Sequence, residues 1–149
     1  MRLSSKKLTT FLGIQKDLLP LYRLLELGVR ERCGDGGEIR VEDNEIIFSE
    51  GANYLWISIP MEVKTYNPLP FLLVTFQLPY QVKGLRITGT INLERELWAH
   101  DALVGRPEDI DEWLLAMIEK GHKFILQRVR ARQAFHRHWC RSCPRVGQA

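Results

Sequence analysis

The sequence predicts an α+β fold: an N-terminal helix, an antiparallel meander of four to five strands, and a long C-terminal helix packed on one sheet face. Three observations predict it. Apolar residues recur at helical spacing as far as Gly34, two-residue alternation takes over between Ile39 and Leu93, and helical spacing returns beyond Pro107. Strands grouped between helices, without the β–α alternation of a parallel sheet, give helices lying against one antiparallel sheet.

The first helix is capped by Ser4 or Ser5 and sets Leu8, Phe11, Leu12 and Leu19 on one side. Pro20 has no N–H and disfavours a helical residue before it, so the helix kinks or restarts there. Leu21, Leu24, Leu25 and Val29 carry the spacing on until Gly34-Asp35-Gly36-Gly37 ends it. Ile39/Val41 and Ile46/Phe48 flank Asp43-Asn44 as a hairpin. From Tyr54 to Ile59, Leu55, Ile57 and Ile59 point one way and Tyr54, Trp56 and Ser58 the other. Phe71 to Leu78 is apolar on both faces, as a central strand would be. Leu85 to Leu93 alternates most clearly, with Leu85, Ile87, Gly89, Ile91 and Leu93 on one face and Arg86, Thr88, Thr90 and Asn92 on a polar one.

The last helix starts near Pro107, where Glu108, Asp109, Asp111 and Glu112 suit the positive helix end. Its buried stripe comprises Ile110, Trp113, Leu114, Met117, Ile118, Phe124 and Ile125. Continued to Cys140 it would reach about 50 Å at 1.5 Å per residue. That is longer than a domain of this size, so its end must project or fold back.

At 149 residues the chain is one domain with room for a core that needs no staple. Its 45% apolar and 26% charged content is that of an ordinary globule. Three cysteines, an odd number, argue against a disulfide framework and point to a reducing cytoplasm. Lys16 and Asp17 interrupt the N-terminal apolar pattern, which argues against a secretory signal, and no stretch has the length of a membrane span.

Charge divides the chain. Residues 1–119 hold 13 Lys/Arg against 18 Asp/Glu, a net −5, and form the α+β domain. Residues 120–149 hold 8 Lys/Arg and no acid, a net +8, and form a basic C-terminal helical arm. Such an arm is a surface for an anionic partner.

Tyr66-Asn67-Pro68-Leu69-Pro70 leads into the strand Phe71–Phe76, and Gly89-Thr90-Ile91-Asn92-Leu93 follows before Trp98. Tyr-x-Pro-x-Pro ahead of a strand, then Gly-x-Ile with a tryptophan downstream, resembles the ubiquitin-conjugating enzymes and their catalytically inactive variants. In the enzymes the nucleophilic cysteine belongs to that second segment; here Asn92 takes the position. A His-Pro-Asn triplet precedes it in the family, whereas this chain reads Leu78-Pro79-Tyr80-Gln81. The resemblance therefore implies an inactive variant that binds a protein, with Tyr66, Pro68, Pro70, Asn92 and Trp98 at the contact surface. An active ubiquitin-like transferase, using another cysteine, is the less favoured form of the same resemblance.

No catalytic residue is assigned. A carboxamide such as Asn92 can donate to an oxyanion but is no nucleophile. His100 and Asp101 are adjacent, so their side chains diverge and cannot form a base with its orienting acid. His136, Cys140 and Cys143 share one side of a helix, yet three ligands leave a tetrahedral structural site incomplete. Neither metal nor cofactor is expected. Arg128, Arg130, Arg132, Arg137 and Arg141, with Arg145, Phe135 and Trp139, are the anion- or partner-binding residues. They suit an acidic protein; the alternative is nucleic acid, with arginines on phosphates and aromatics on bases.

Overall fold

The computed structural model describes residues 1–13, 15–60 and 70–142, with backbone alone beyond 137. Helices α1 (Ser5–Leu12) and α2 (Leu19–Cys33) precede six strands: β1 (Glu38–Glu42), β2 (Glu45–Ser49), β3 (Asn53–Ser58), β4 (Leu72–Leu78), β5 (Ile87–Glu94) and β6 (Leu97–Val104). Helix α3 (Glu112–Ser142) ends the fold. All strand pairs are antiparallel, in the order β1-β2-β3-β4-β6-β5. The α+β architecture read from the periodicity holds, with the long C-terminal helix on the sheet.

Local signals explain the element ends. Ser4 Oγ accepts from the Lys7 N–H at 3.3 Å and caps α1. Pro20 sits in the first turn of α2, so it restarts the helix rather than kinking one. Gly34 ends α2 at φ 83°, a conformation costly for any residue with a Cβ. Asp111 caps α3, its Oδ1 accepting from the Leu114 N–H at 2.9 Å.

The core lies between the helices and one sheet face. Leu72, Val74, Phe76 and Leu78 of β4 are buried there with Leu55 and Ile57 of β3, Ala102 and Val104 of β6, and Leu114 and Ile118 of α3. Glu26 is a buried exception on α2. Its carboxylate accepts from the Leu3 N–H and from Arg23, each at 3.2 Å, which satisfies the charge and pins the N-terminal segment. On the other face stand Ile47, Trp56, Thr75, Ala99 and Ile91, which occupy the alternate register positions.

The sheet has six strands where the periodicity predicts four to five, and it is not a simple meander. Strand β6 inserts between β4 and β5. Its Ala99-His100-Asp101-Ala102 centre hides the alternation, because the inward-facing histidine reads as polar. The faces of β5 also differ from the sequence reading. A bulge between Ile87 and Gly89 shifts the register, so Thr90 and Asn92 share the helix-bearing face with His100 and Trp98, while Ile91 faces away beside Ala99.

Helix α3 runs unbroken across residues 119 and 120, so domain and arm share one helix of 31 residues, about 46 Å long. Packing persists beyond that point: Gly121, His122 and Ile125 are buried and Val129 packs against the core. From Arg130 to Arg137 every side chain is exposed. At Gly121 the helix passes so near the sheet that an added Cβ would stand 3.0 Å from the Gln77 carbonyl oxygen. At Gly28 of α2 a Cβ would stand 2.9 Å from a Leu115 methyl.

These contacts predict opposite outcomes for one substitution. Alanine improves helix propensity by about 1 kcal/mol at either site. At Gly28 the Leu115 side chain can rotate away, so Gly28→Ala should leave the melting temperature unchanged or slightly raised. At Gly121 a central-strand carbonyl cannot yield, and overpacking of about 1–3 kcal/mol should win. Gly121→Ala should melt several degrees lower by circular dichroism; equal melting of the two variants would contradict the close passage.

Candidate functional site

Where α3 leaves the sheet, it and the sheet end enclose an open groove of about 260 Å³. Trp56, Gln77, Leu93, Leu97, Ile125 and Val129 form its floor and walls, and Arg128, Arg132 and Glu94 stand at its rim. Strand β3 supplies Trp56 from the face away from the helices, the end of β5 supplies Leu93 and Glu94, and the start of β6 supplies Leu97. Arg128 Nη2 donates to Glu94 Oε1 at 2.6 Å, and its guanidinium lies 5.7 Å from the Phe124 ring centroid. Arg132, one turn on, has no carboxylate partner among the described residues.

Sequence reasoning brings only part of this together. Arg128 and Arg132 share the groove as their spacing predicts, while Arg130 and Arg137 are exposed along the same helix. Arg137 Nε donates to the Gln133 carbonyl at 3.4 Å. The side chains of Trp139, Cys140 and Arg141, together with Cys143 and Arg145, lie outside the described residues, as do Tyr66 and Pro68. His136 is exposed, and among the described residues no cluster of His, Cys, Asp or Glu could hold a metal.

Asn92 and Trp98 are register partners across β5 and β6. With the carboxamide turned to suit both neighbours, Asn92 Oδ1 accepts from Trp98 Nε1 at 3.0 Å and Nδ2 donates to the Glu94 carbonyl at 3.2 Å. Asn92 thus shapes the turn that carries the groove's rim. Pro70 precedes the start of β4, at the opposite end from Gln77, roughly 23 Å away at the strand rise. The proline and the Asn92–Trp98 pair therefore belong to two surfaces.

His100 and Asp101 point to opposite faces, as adjacent strand residues must. Asp101 Oδ1 accepts from Thr75 Oγ1 at 2.6 Å, while His100 is fully buried against Phe76, with ring planes 12° apart. His100 Nε2 accepts the Val82 N–H at 2.8 Å and so pins the β4–β5 connection. Burial favours the neutral imidazole and pulls its pKa below 6.5.

Nothing in the basic composition of the C-terminal segment singles out His122. It lies buried with its ring 4.5 Å from that of Tyr54 and Nε2 3.3 Å from Glu50 Oε2, where the β2–β3 turn meets α3. The available signal was its spacing, four residues after Ile118 and three before Ile125, on the apolar stripe. Nearby, burial and the Glu119 and Glu50 carboxylates push the Cys33 thiol up to about 12.

Compared with family models, curated proteins and solved structures, the chain matches none. No helix among the described residues is long and apolar enough to cross a membrane.

Two measurements follow from the buried groups. The folded state resists protonating His100, whereas the unfolded chain takes up that proton as pH falls through about 6.5. The stability tied to His100 is therefore full above that pH and is lost below it, toward the lowered folded-state pKa. His100→Gln keeps an acceptor for Val82, so between pH 7 and about 5.5 its melting temperature should fall less steeply than that of the parent. An unchanged slope would exclude His100 as the acid-sensitive group. Native Cys33 should resist iodoacetamide at neutral pH and react once the chain is unfolded, as read by peptide mass mapping; rapid native alkylation would contradict its burial.

Proposed function

We propose that the protein is a non-catalytic adaptor that binds a partner protein, holding an acidic amphipathic segment in the groove at the root of α3. The observation that carries this reading is the pairing of an apolar groove with an arginine rim, on a helix that has no acidic residue after Glu119. An apolar side of the segment would cover Trp56, Leu97 and Val129, and its carboxylates would meet Arg132 and compete with Glu94 for Arg128. Specificity for an acidic partner then comes from the arm and affinity from the apolar floor.

The absence of a cysteine at Asn92 supports binding rather than transfer, in keeping with the resemblance to inactive ubiquitin-conjugating variants. Cys33, half-buried with its thiol pushed up, is a poor nucleophile at neutral pH and supports the same reading. A second reading draws on Phe135, which is 71% exposed among exposed arginines and is suited to stacking on a base. The −5 charge of residues 1–119 counts against a duplex lying along the body.

The test sets acidic amphipathic peptides, basic peptides of the same apolar pattern and a DNA duplex against the full chain at about 150 mM salt. Binding is followed by tryptophan fluorescence, which Trp56 would report. Acidic peptides should bind, and Arg128→Gln with Arg132→Gln should weaken them about tenfold or more, roughly 1.4 kcal/mol. Duplex binding tighter than any peptide, lost in the same double variant, would reverse the two readings.

A further inference from the structure

We propose that β5 is a self-association edge, on which two copies of the chain pair antiparallel about a two-fold axis through Ile91. The sheet has two edges, and they differ in kind. Strand β1 is short and carries Glu38, Arg40 and Glu42, with Arg40 Nε 2.7 Å from Glu42 and Nη1 4.0 Å from Glu38. Charges of this sort keep an edge from pairing. Laid on a copy of itself in full overlap, β1 would set Arg40 against Arg40 and Glu38 against Glu42.

Strand β5 lacks that protection. From Ile87 to Leu93 it has no charge and no proline, and among the described residues no strand pairs with its outer side. Ile91 is 60% and Leu93 50% exposed, and Tyr80 and Leu85 stand exposed in the connection leading to the strand. This run differs in character from the arginine-rimmed groove: it holds nothing that would select an acidic partner. What complements an uncharged, alternating strand is another such strand, and the chain's own β5 is one.

Centred on Ile91, the self-pairing matches residue for residue. On the face away from the helices, Ile91 meets its copy, and Leu93 lies opposite Gly89, whose missing side chain leaves it room. On the helix-bearing face Thr90 lies opposite Asn92. Beyond the strand no like charges meet: Glu94 lies opposite Thr88, and Arg86, already held by Asp111 at 2.6 Å, lies opposite Glu96. A centre at Thr90 fits less well. It sets Ile87, which faces the core with Ala102, against Leu93, which faces the groove, and it presents Glu94, already held by Arg128, to Arg86.

Bulges after Ile87 and Asn92 bound the stretch that pairs regularly with β6. The added contact is correspondingly small, less than the roughly 800 Å² per partner of a tight complex. The dimer is therefore a reversible one, formed in the micromolar range and continuous through one sheet.

Sedimentation velocity of the full chain from low to several hundred micromolar tests the association, and cysteine substitution tests the register. Residues facing across a two-fold lie about 4.5–5.5 Å apart at Cα, within disulfide reach. Ile91→Cys should oxidise to a dimer whose linked peptides both span position 91. Ile91→Lys brings two ammonium groups together and should weaken dimerisation about tenfold or more, with an unchanged melting temperature because the side chain is exposed. Leu27→Lys, on the exposed side of α2, should leave it unaltered. A chain that stays monomeric throughout, a dimer indifferent to Ile91→Lys, or cross-linking through Thr90→Cys in place of Ile91→Cys would each overturn the proposal.

Discussion

The closeness of α3 to the backbone of β4 is the constraint on which the rest of the structure depends. A helix normally stands off a sheet by the depth of its side chains. At Gly121 there is none, and the Gln77 carbonyl oxygen approaches to within 3.0 Å of where a Cβ would stand. That contact seats Ile118 and Ile125 on either side of it in the core and brings His122 within reach of Tyr54 and Glu50. It also fixes where the helix leaves the sheet. The groove exists because the helix is held low at Gly121 and then runs past the sheet end, with Val129 against Gly51 and the arginines beyond.

Much of the fold was legible because its elements obey simple periodicities. Pro20, the Gly34–Gly37 run and Asp43-Asn44 punctuate the first half as their backbone preferences require, and Asp43 adopts a positive φ of 50° in its turn. Strand β6 was not legible, because it buries a histidine between Ala99 and Asp101 and shows that aspartate to Thr75. The two faces of β5 were misassigned for a different reason. Alternation is a local rule, and one bulged residue inverts it as far as the next bulge.

Of the candidate site, the basic character of the arm could be read directly, since it is a matter of composition. The groove could not. Its floor is assembled from Trp56, Gln77, Leu97 and Ile125, which are far apart in sequence and meet only through the strand order β3-β4-β6-β5 and the crossing helix. Asn92, singled out as a departure from a nucleophile pattern, turns out to hold the indole of Trp98 and the Glu94 carbonyl. Its place beside the rim follows from the β5–β6 turn, which the alternation pattern alone would not have located.

The continuity of α3 bears on the energetics of recognition. A solitary basic helix in water must first form a costly nucleus before it can lengthen. Here the packed half from Glu112 to Val129 is that nucleus, so the exposed turns are added by propagation alone. Any partner of the proposed kind would meet a scaffold whose ordering entropy was lost at folding rather than at binding, which favours affinity. The same continuity makes the helix a lever with a defined phase. Each residue removed between Val129 and Arg132 would turn the outer arginines by about 100° relative to the groove, leaving composition and net charge almost unaltered. The arm is thus set by rotation as well as by charge, with its zero angle established by the glycine seated on β4.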